Sequence, residues 1–159
     1  MKVILFRFEK EKINFLECEI NSGELILGEK GKISLEGTSS SGEKYKKILD
    51  ELFRFSDKYA ANVFAYPPAV SNMRGKIDEV RFANEAMLNL FCNQNDIELL
   101  ALAATTVRKK LAISSADFKV LLEKEKANLC EKHPITKSDK LLDGLCYLVL
   151  LGLTLNPSP

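Results

Sequence analysis

The chain opens with three β-prone runs in direct succession, separated only by polar turns, before any helical pattern begins. Val3-Ile4-Leu5-Phe6-Arg7-Phe8 is the first run, and Glu9-Lys10-Glu11-Lys12 makes a polar turn. Ile13 to Ile20 resumes as a strand with partial alternation. Asn21-Ser22-Gly23 is a strong turn signal, because glycine adopts positive φ without steric cost. Glu24 to Leu27 is a third strand, and Lys32 to Leu35 extends it if the strand continues beyond Gly28 and Gly31. Parallel neighbours need a long crossover connection, and no such length separates these runs. An antiparallel meander is therefore expected.

After the meander the pattern alternates. A Ser-rich loop, Gly37 to Gly42, leads into a helix over Glu43 to Tyr59, with Tyr45, Ile48, Leu49, Leu52 and Phe53 at helical spacing. Asn62 to Tyr66 reads as a short buried strand that Pro67-Pro68 stops. A second helix is expected over Ile77 to Asn93 and a fifth strand over Ile97 to Leu102. A short basic helix runs from Thr105 to Leu111. Ser114 or Ser115 then caps a helix that ends at His133-Pro134. Ser138 caps a last helix from Asp139 to about Leu151, and 156–159 is a disordered tail. The apolar stretch from Leu141 to Leu155 contains Asp143, Gly144 and Gly152. It is shorter than the roughly 20 residues of a membrane span, so it is expected to be a buried helix.

Composition narrows the function classes. The chain has 159 residues, the usual size of one domain, here taken as 1–155, and 46% of them are apolar. The formal net charge is only +1, but Thr105 to Lys140 holds nine Lys/Arg against five Asp/Glu. The four cysteines form no CxxC, and there is a single histidine, His133. A zinc site or a disulfide framework is therefore not expected, and the reducing cytoplasm is the expected compartment. No serine or cysteine has a convincing base partner, and neither GxxxxGK[ST] nor GxGxxG occurs.

The order β-β-β-α-β-α-β-α-α-α is the ribonuclease-H-like order. It predicts an α/β, three-layer fold with a five-stranded mixed sheet. Val63-Phe64-Ala65-Tyr66-Pro67-Pro68, the loop with Met73-Arg74-Gly75 and the helix from Ile77 resemble the strand-loop-helix of RuvC-type resolvases. Ala104-Thr105-Thr106-Val107-Arg108-Lys109 resembles the basic segment after their fifth strand. Ser115-Ala116-Asp117-Phe118-Lys119 is similar to the start of their next helix, and Ser138-Asp139-Lys140-Leu141-Leu142-Asp143-Gly144-Leu145 to the acidic start of the last. The chain also resembles DUF3010, a family of small uncharacterised bacterial proteins on the same fold.

The resemblance implies a site in which carboxylates from the first strand, the fourth strand and the last helix hold magnesium for phosphodiester hydrolysis. This chain has Arg7 at the first of those positions and Tyr66 at the second, where acids would be expected. The last helix keeps Asp139 and Asp143, four apart and hence on one face. The resolvase pattern prefers acids three apart, and that slot holds Lys140. Arg7 and Tyr66 are expected to lie near Asp143, with Arg7 as its structural ion-pair partner. Asp139 equally suits a first helical turn. Glu9, Asp78 and Glu79 read as solvated turn and helix-start charges, and a divergent metal site would have to recruit a third acid such as Glu9 or Asp78.

Arg74, Lys76, Arg108, Lys109, Lys110 and Lys119 could form one basic face for phosphate binding. No metal or other cofactor is expected, magnesium entering only with an active nuclease. Three functions stay open. The first is a ribonuclease-H-like protein with a degenerate acidic site that binds nucleic acid, weakly, or protein. The second is a divergent metal-dependent nuclease using Asp139 and Asp143. The third is a structural partner or homodimer built on the apolar last helix.

Overall fold

The computed structural model describes residues 1–69, 75 and 78–155. The elements run β1 (Lys2–Phe8), β2 (Lys12–Asn21), β3 (Glu24–Ser34), α1 (Ser41–Tyr59), β4 (Val63–Tyr66), α2 (Glu79–Gln94), β5 (Glu98–Ala101), α3 (Ala104–Leu111), α4 (Ser115–Lys132) and α5 (Leu142–Leu155). They build one five-stranded sheet in the order β3-β2-β1-β4-β5. The first three strands pair antiparallel, and β4 lies parallel between β1 and β5.

The meander follows from its turns. Asn21 pairs with Glu24, and the two residues between them, Ser22 and Gly23, both take positive φ. That is the two-residue hairpin geometry whose twist matches its flanking strands. β3 does run through both glycines as one strand. Gly31 lies opposite Phe15, and a Cβ there would come within 2.9 Å of the Phe15 ring. A side chain at 31 would push that ring out of the core.

Alternation along β1 divides the interior in two. Ile4, Phe6 and Phe8 join Phe15, Phe55, Phe64 and Phe91 under α1 and α2. Val3 and Leu5 join Leu16, Cys18, Val63 and Ala65 under α3, α4 and α5. Both faces of the central strands are thus covered, which is why β1 and β4 read as unbroken apolar runs. The Phe6 ring meets Phe55 and Phe64 edge-on, at centroid distances of 5.6 and 5.2 Å.

The last helix departs from expectation. It starts at Leu142, and Ser138 is not its cap. Ser138 shares a hydrogen bond with the Thr136 hydroxyl, while the Asp139 carboxylate accepts the Leu141 amide at 2.9 Å. Asp139 therefore closes a turn before the helix. The apolar residues of α5, including Leu142, Leu145, Cys146 and Leu148, are buried against the sheet. The large exposed apolar side chains include Phe53, Phe82 and Leu90, on α1 and α2. Among the described residues, no helix is long and apolar enough to cross a membrane. The expected tail at 156–159 lies outside the described residues.

Candidate functional site

The region to test is the place where β1, β4 and the start of α5 meet. Register sets which side chains face it: Leu5 stands beside Ala65, and both belong to the core under α5. Arg7 follows Leu5 by two residues and so points to the same face. Tyr66 does not. It packs in the aromatic core under α1 and α2, and its hydroxyl accepts from Asn89 Nδ2 of α2 at 3.1 Å. Arg7 and Tyr66 therefore lie on opposite faces of the sheet, contrary to the expectation that both would meet Asp143. The β4 side chains on the α5 face are Val63 and Ala65, and Ala65 is the one beside Leu5.

The acids of the last segment also separate. Because Asp139 precedes the helix, it does not share a helical face with Asp143. Its second oxygen pairs with Lys30 of β3. Asp143 pairs instead with Lys126 of α4 at 2.9 Å, and half its side chain is exposed. That hydrogen bond raises the Lys126 pKa. The expected Arg7–Asp143 pair is not formed.

Glu9 has the most side-chain donors of these carboxylates. It is held by Lys140 at 2.8 Å, by Asn14 at 3.1 Å and by Lys12 at 3.2 Å. Burial alone would raise its pKa, but the hydrogen bonds from Lys140, Asn14 and Lys12 outweigh that and bring it to about 2. Each acid is thus tied to a lysine in its own direction. Among the described residues no three His, Cys, Asp or Glu side chains gather closely enough to hold a metal ion.

Packing closes the same place to an ion. A Cβ on Gly144 would lie 3.1 Å from Leu5 Cδ1 and 3.5 Å from Pro67 Cδ. The helix start is therefore seated in van der Waals contact with both strands' ends. Magnesium needs several oxygen ligands at about 2.0–2.1 Å and keeps waters of its own. Leu5, Ala65 and Pro67 supply none, and Arg7 would repel the ion. These residues do not fit a magnesium site.

What the region does have is unpaired positive charge. The Arg7 Nε is buried without a hydrogen-bond partner, and the side chain makes no ion pair among the described residues. Cross-strand register sets Arg7 beside Asn14 and Asn14 beside Lys32, one row over three strands. Lys30 stands one row along, opposite Leu16. This row escapes local sequence reading, because its members are far apart in the chain.

The basic face expected from the sequence is placed in part. Arg108 hydrogen-bonds Ser115 where α3 meets α4, and Lys109, Lys110 and Lys119 are exposed near that corner. Arg74 and Lys76 lie outside the described residues. Sequence reading also missed Glu85, whose side chain is only 5% exposed. Its carboxylate accepts from Arg81 Nε at 2.8 Å and from the Ala69 amide at 2.9 Å, while Arg81 also donates to the Pro67 carbonyl. This pair ties α2 to the chain just after β4. The i, i+4 spacing of Arg81 and Glu85 on a half-buried helix was the available signal. The buried thiols of Cys18, Cys92 and Cys146 are each pushed up to about 12 by burial, which suits core residues rather than nucleophiles.

Comparison with solved structures gives this architecture a relation. Thermus thermophilus RuvC superposes with a TM-score of 0.68 at 9% identity, over 96% of this chain and 95% of that one. The fold is that of the RuvC-type resolvases. The T. thermophilus enzyme in complex with a Holliday junction substrate matches at a TM-score of 0.67 and 11% identity, covering 94% of this chain and 91% of the other. The yeast mitochondrial Holliday junction resolvase Ydc2 matches at 0.60 and 11% identity, over 97% and 80%. At these identities the likeness concerns the fold. No protein-family model matches the sequence, and no curated protein is similar to it.

Proposed function

We propose that this protein binds nucleic acid on a RuvC-like scaffold without hydrolysing it and without a resident metal. The observation that carries this reading is the make-up of the β1–β4–α5 junction. Its strand positions hold Leu5, Ala65 and Arg7, and the surviving acids Glu9, Asp139 and Asp143 are each paired with lysine. Two-metal phosphodiester hydrolysis needs ions on both sides of the scissile phosphate, and two or three dispersed carboxylates cannot enclose it. Nucleic acid is favoured as the partner because the solved relatives of this fold include one bound to a Holliday junction. Exposed cations at Lys109, Lys110 and Lys119 suit a phosphate backbone. Within this reading the chain is grouped with DUF3010, on the stretches that resemble that family.

The test is direct. Wild-type protein and an Asp139→Asn, Asp143→Asn double variant are incubated with magnesium or manganese and labelled branched, single-stranded and hybrid substrates. Neither should cleave, while wild type should bind the same substrates weakly, with affinity falling steeply as salt rises. Metal-dependent cleavage by wild type that disappears in the double variant would replace this reading with that of a divergent nuclease.

A further inference from the structure

We infer that Arg7, with Lys32, Lys30 and Lys140 around it, forms a site for a backbone phosphate of a polynucleotide. The inference rests on the nucleic-acid reading above and names the group that would make the contact.

The first observation is the state of Arg7 itself. A guanidinium carries five donors and no acceptor, so only an acceptor can satisfy it. Its Nε is buried and has none among the described residues. The acids nearby are already taken. Glu9 accepts from Lys140, Lys12 and Asn14, while Asp139 holds Lys30 and the Leu141 amide. Sequestering a donor without a partner is unfavourable, and a ligand oxygen would relieve it.

The second observation is the arrangement of charge. Strands lie roughly 4.8 Å apart, so Arg7 and Lys32, two strands away, have backbones about 10 Å apart on one face. Side chains of that length can converge on one tetrahedral group. Lys30 and Lys140 border the same row, each held by one carboxylate. Four cations against Glu9 and Asp139 leave the rim positive.

The third observation is what backs the site. Leu5, Pro67 and Gly144 are buried and closely packed, so the sheet face from which Arg7 extends is backed by a closed apolar interior, where charge is less screened than in water. A planar fork binds phosphate oxygens in pairs, which distinguishes arginine from lysine here. A divalent cation would be repelled by the same charges.

The experiment follows the Arg7 Nε–Hε signal by ¹⁵N NMR in the full chain, assigned by its loss in Arg7→Lys. Short single-stranded oligonucleotide and inorganic phosphate are titrated separately at low salt. The Arg7 signal should shift with oligonucleotide. Arg7→Met should reduce the slope of log affinity against log salt by about one, and Arg7→Lys should restore that slope with weaker binding. Should Arg7→Met misfold, the NMR shift and the Arg7→Lys affinity decide the matter alone. Oligonucleotide binding with an unmoved Arg7 signal would overturn the Arg7 site and leave the nucleic-acid reading intact. A shift with inorganic phosphate but no oligonucleotide binding would overturn the polynucleotide ligand and keep only an oxyanion site. No response to either would refute both.

Discussion

Replacing Arg7 with methionine should stabilise the protein, and the sign is informative. If Arg7 paired with a buried Asp143, as the sequence suggests, its removal would strand a charge and cost about 3–5 kcal/mol. The structure sets the opposite conditions. Asp143 is half exposed and bonded to Lys126, and the Arg7 Nε has no acceptor. An unsatisfied buried donor costs about 1–3 kcal/mol, and methionine keeps most of the apolar stem that packs beside it. Because Arg7 as a residue is only partly buried, the expected net gain is at the lower end, about 1 kcal/mol. For a chain of this size that raises Tm by about 2–4 °C. Urea unfolding should show a higher midpoint with an unchanged m-value. As a control, Asp143→Asn removes a partly exposed ion pair and should change stability by less than about 1 kcal/mol. A loss of 2 kcal/mol or more in Arg7→Met would mean that Arg7 has a buried acceptor, and the argument for its free guanidinium would fail.

Two further changes probe the surrounding framework. Glu85→Ala should cost about 3–5 kcal/mol, because it leaves Arg81 and the Ala69 amide without their acceptor in a buried place; thermal unfolding measures this, and a loss below 1 kcal/mol would contradict it. Glu9 has a folded pKa of about 2 against an ordinary 4.5, so its contribution to stability is complete above about pH 4.5 and is lost as pH falls towards 2. Lys140→Met should bring that pKa back up, as a carboxylate NMR titration would show, and an unmoved value would rule out the Lys140 contact as a cause.

The order of elements was legible because punctuation and period agreed locally. Ser22-Gly23 fits its hairpin, Pro67 stops β4, and Ser114 caps α4 where a hydroxyl was available. The start of α5 was misread because Ser138 and Asp139 are both capping types in succession. The carboxylate of Asp139 took the Leu141 amide, and the helix began later. That shift of a few residues removed the shared face assumed for Asp139 and Asp143. The orientation of Tyr66 was hidden for a different reason. All four residues of Val63–Tyr66 are buried, so the strand has no polar alternation from which its two faces could be told apart. Only pairing with β1 fixes that parity. The Arg7–Asn14–Lys32 row is likewise a property of register, invisible in any local window.

Parity also decides how a metal site could be restored here. Replacing Arg7 with Asp and Tyr66 with Glu answers the sequence pattern, but the second carboxylate would enter the aromatic core beside Phe64 and Phe91, on the far side of the sheet from Asp139. It could not share an ion with an acid at position 7, and an unpaired buried carboxylate there should instead be protonated or unfold the protein. The β4 position on the correct face and beside Leu5 is Ala65, which is fully buried beneath the start of α5. An acid at 65 would be better directed, yet Gly144 already rests against Leu5 and Pro67, and the helix would have to lift to admit an ion with its waters. Isothermal titration with magnesium should therefore detect no site in Arg7→Asp, Tyr66→Glu. Stoichiometric binding by that variant, lost again in Asp139→Asn, would show that positions 7, 66 and 139 converge after all and that the face assignment of Tyr66 is wrong.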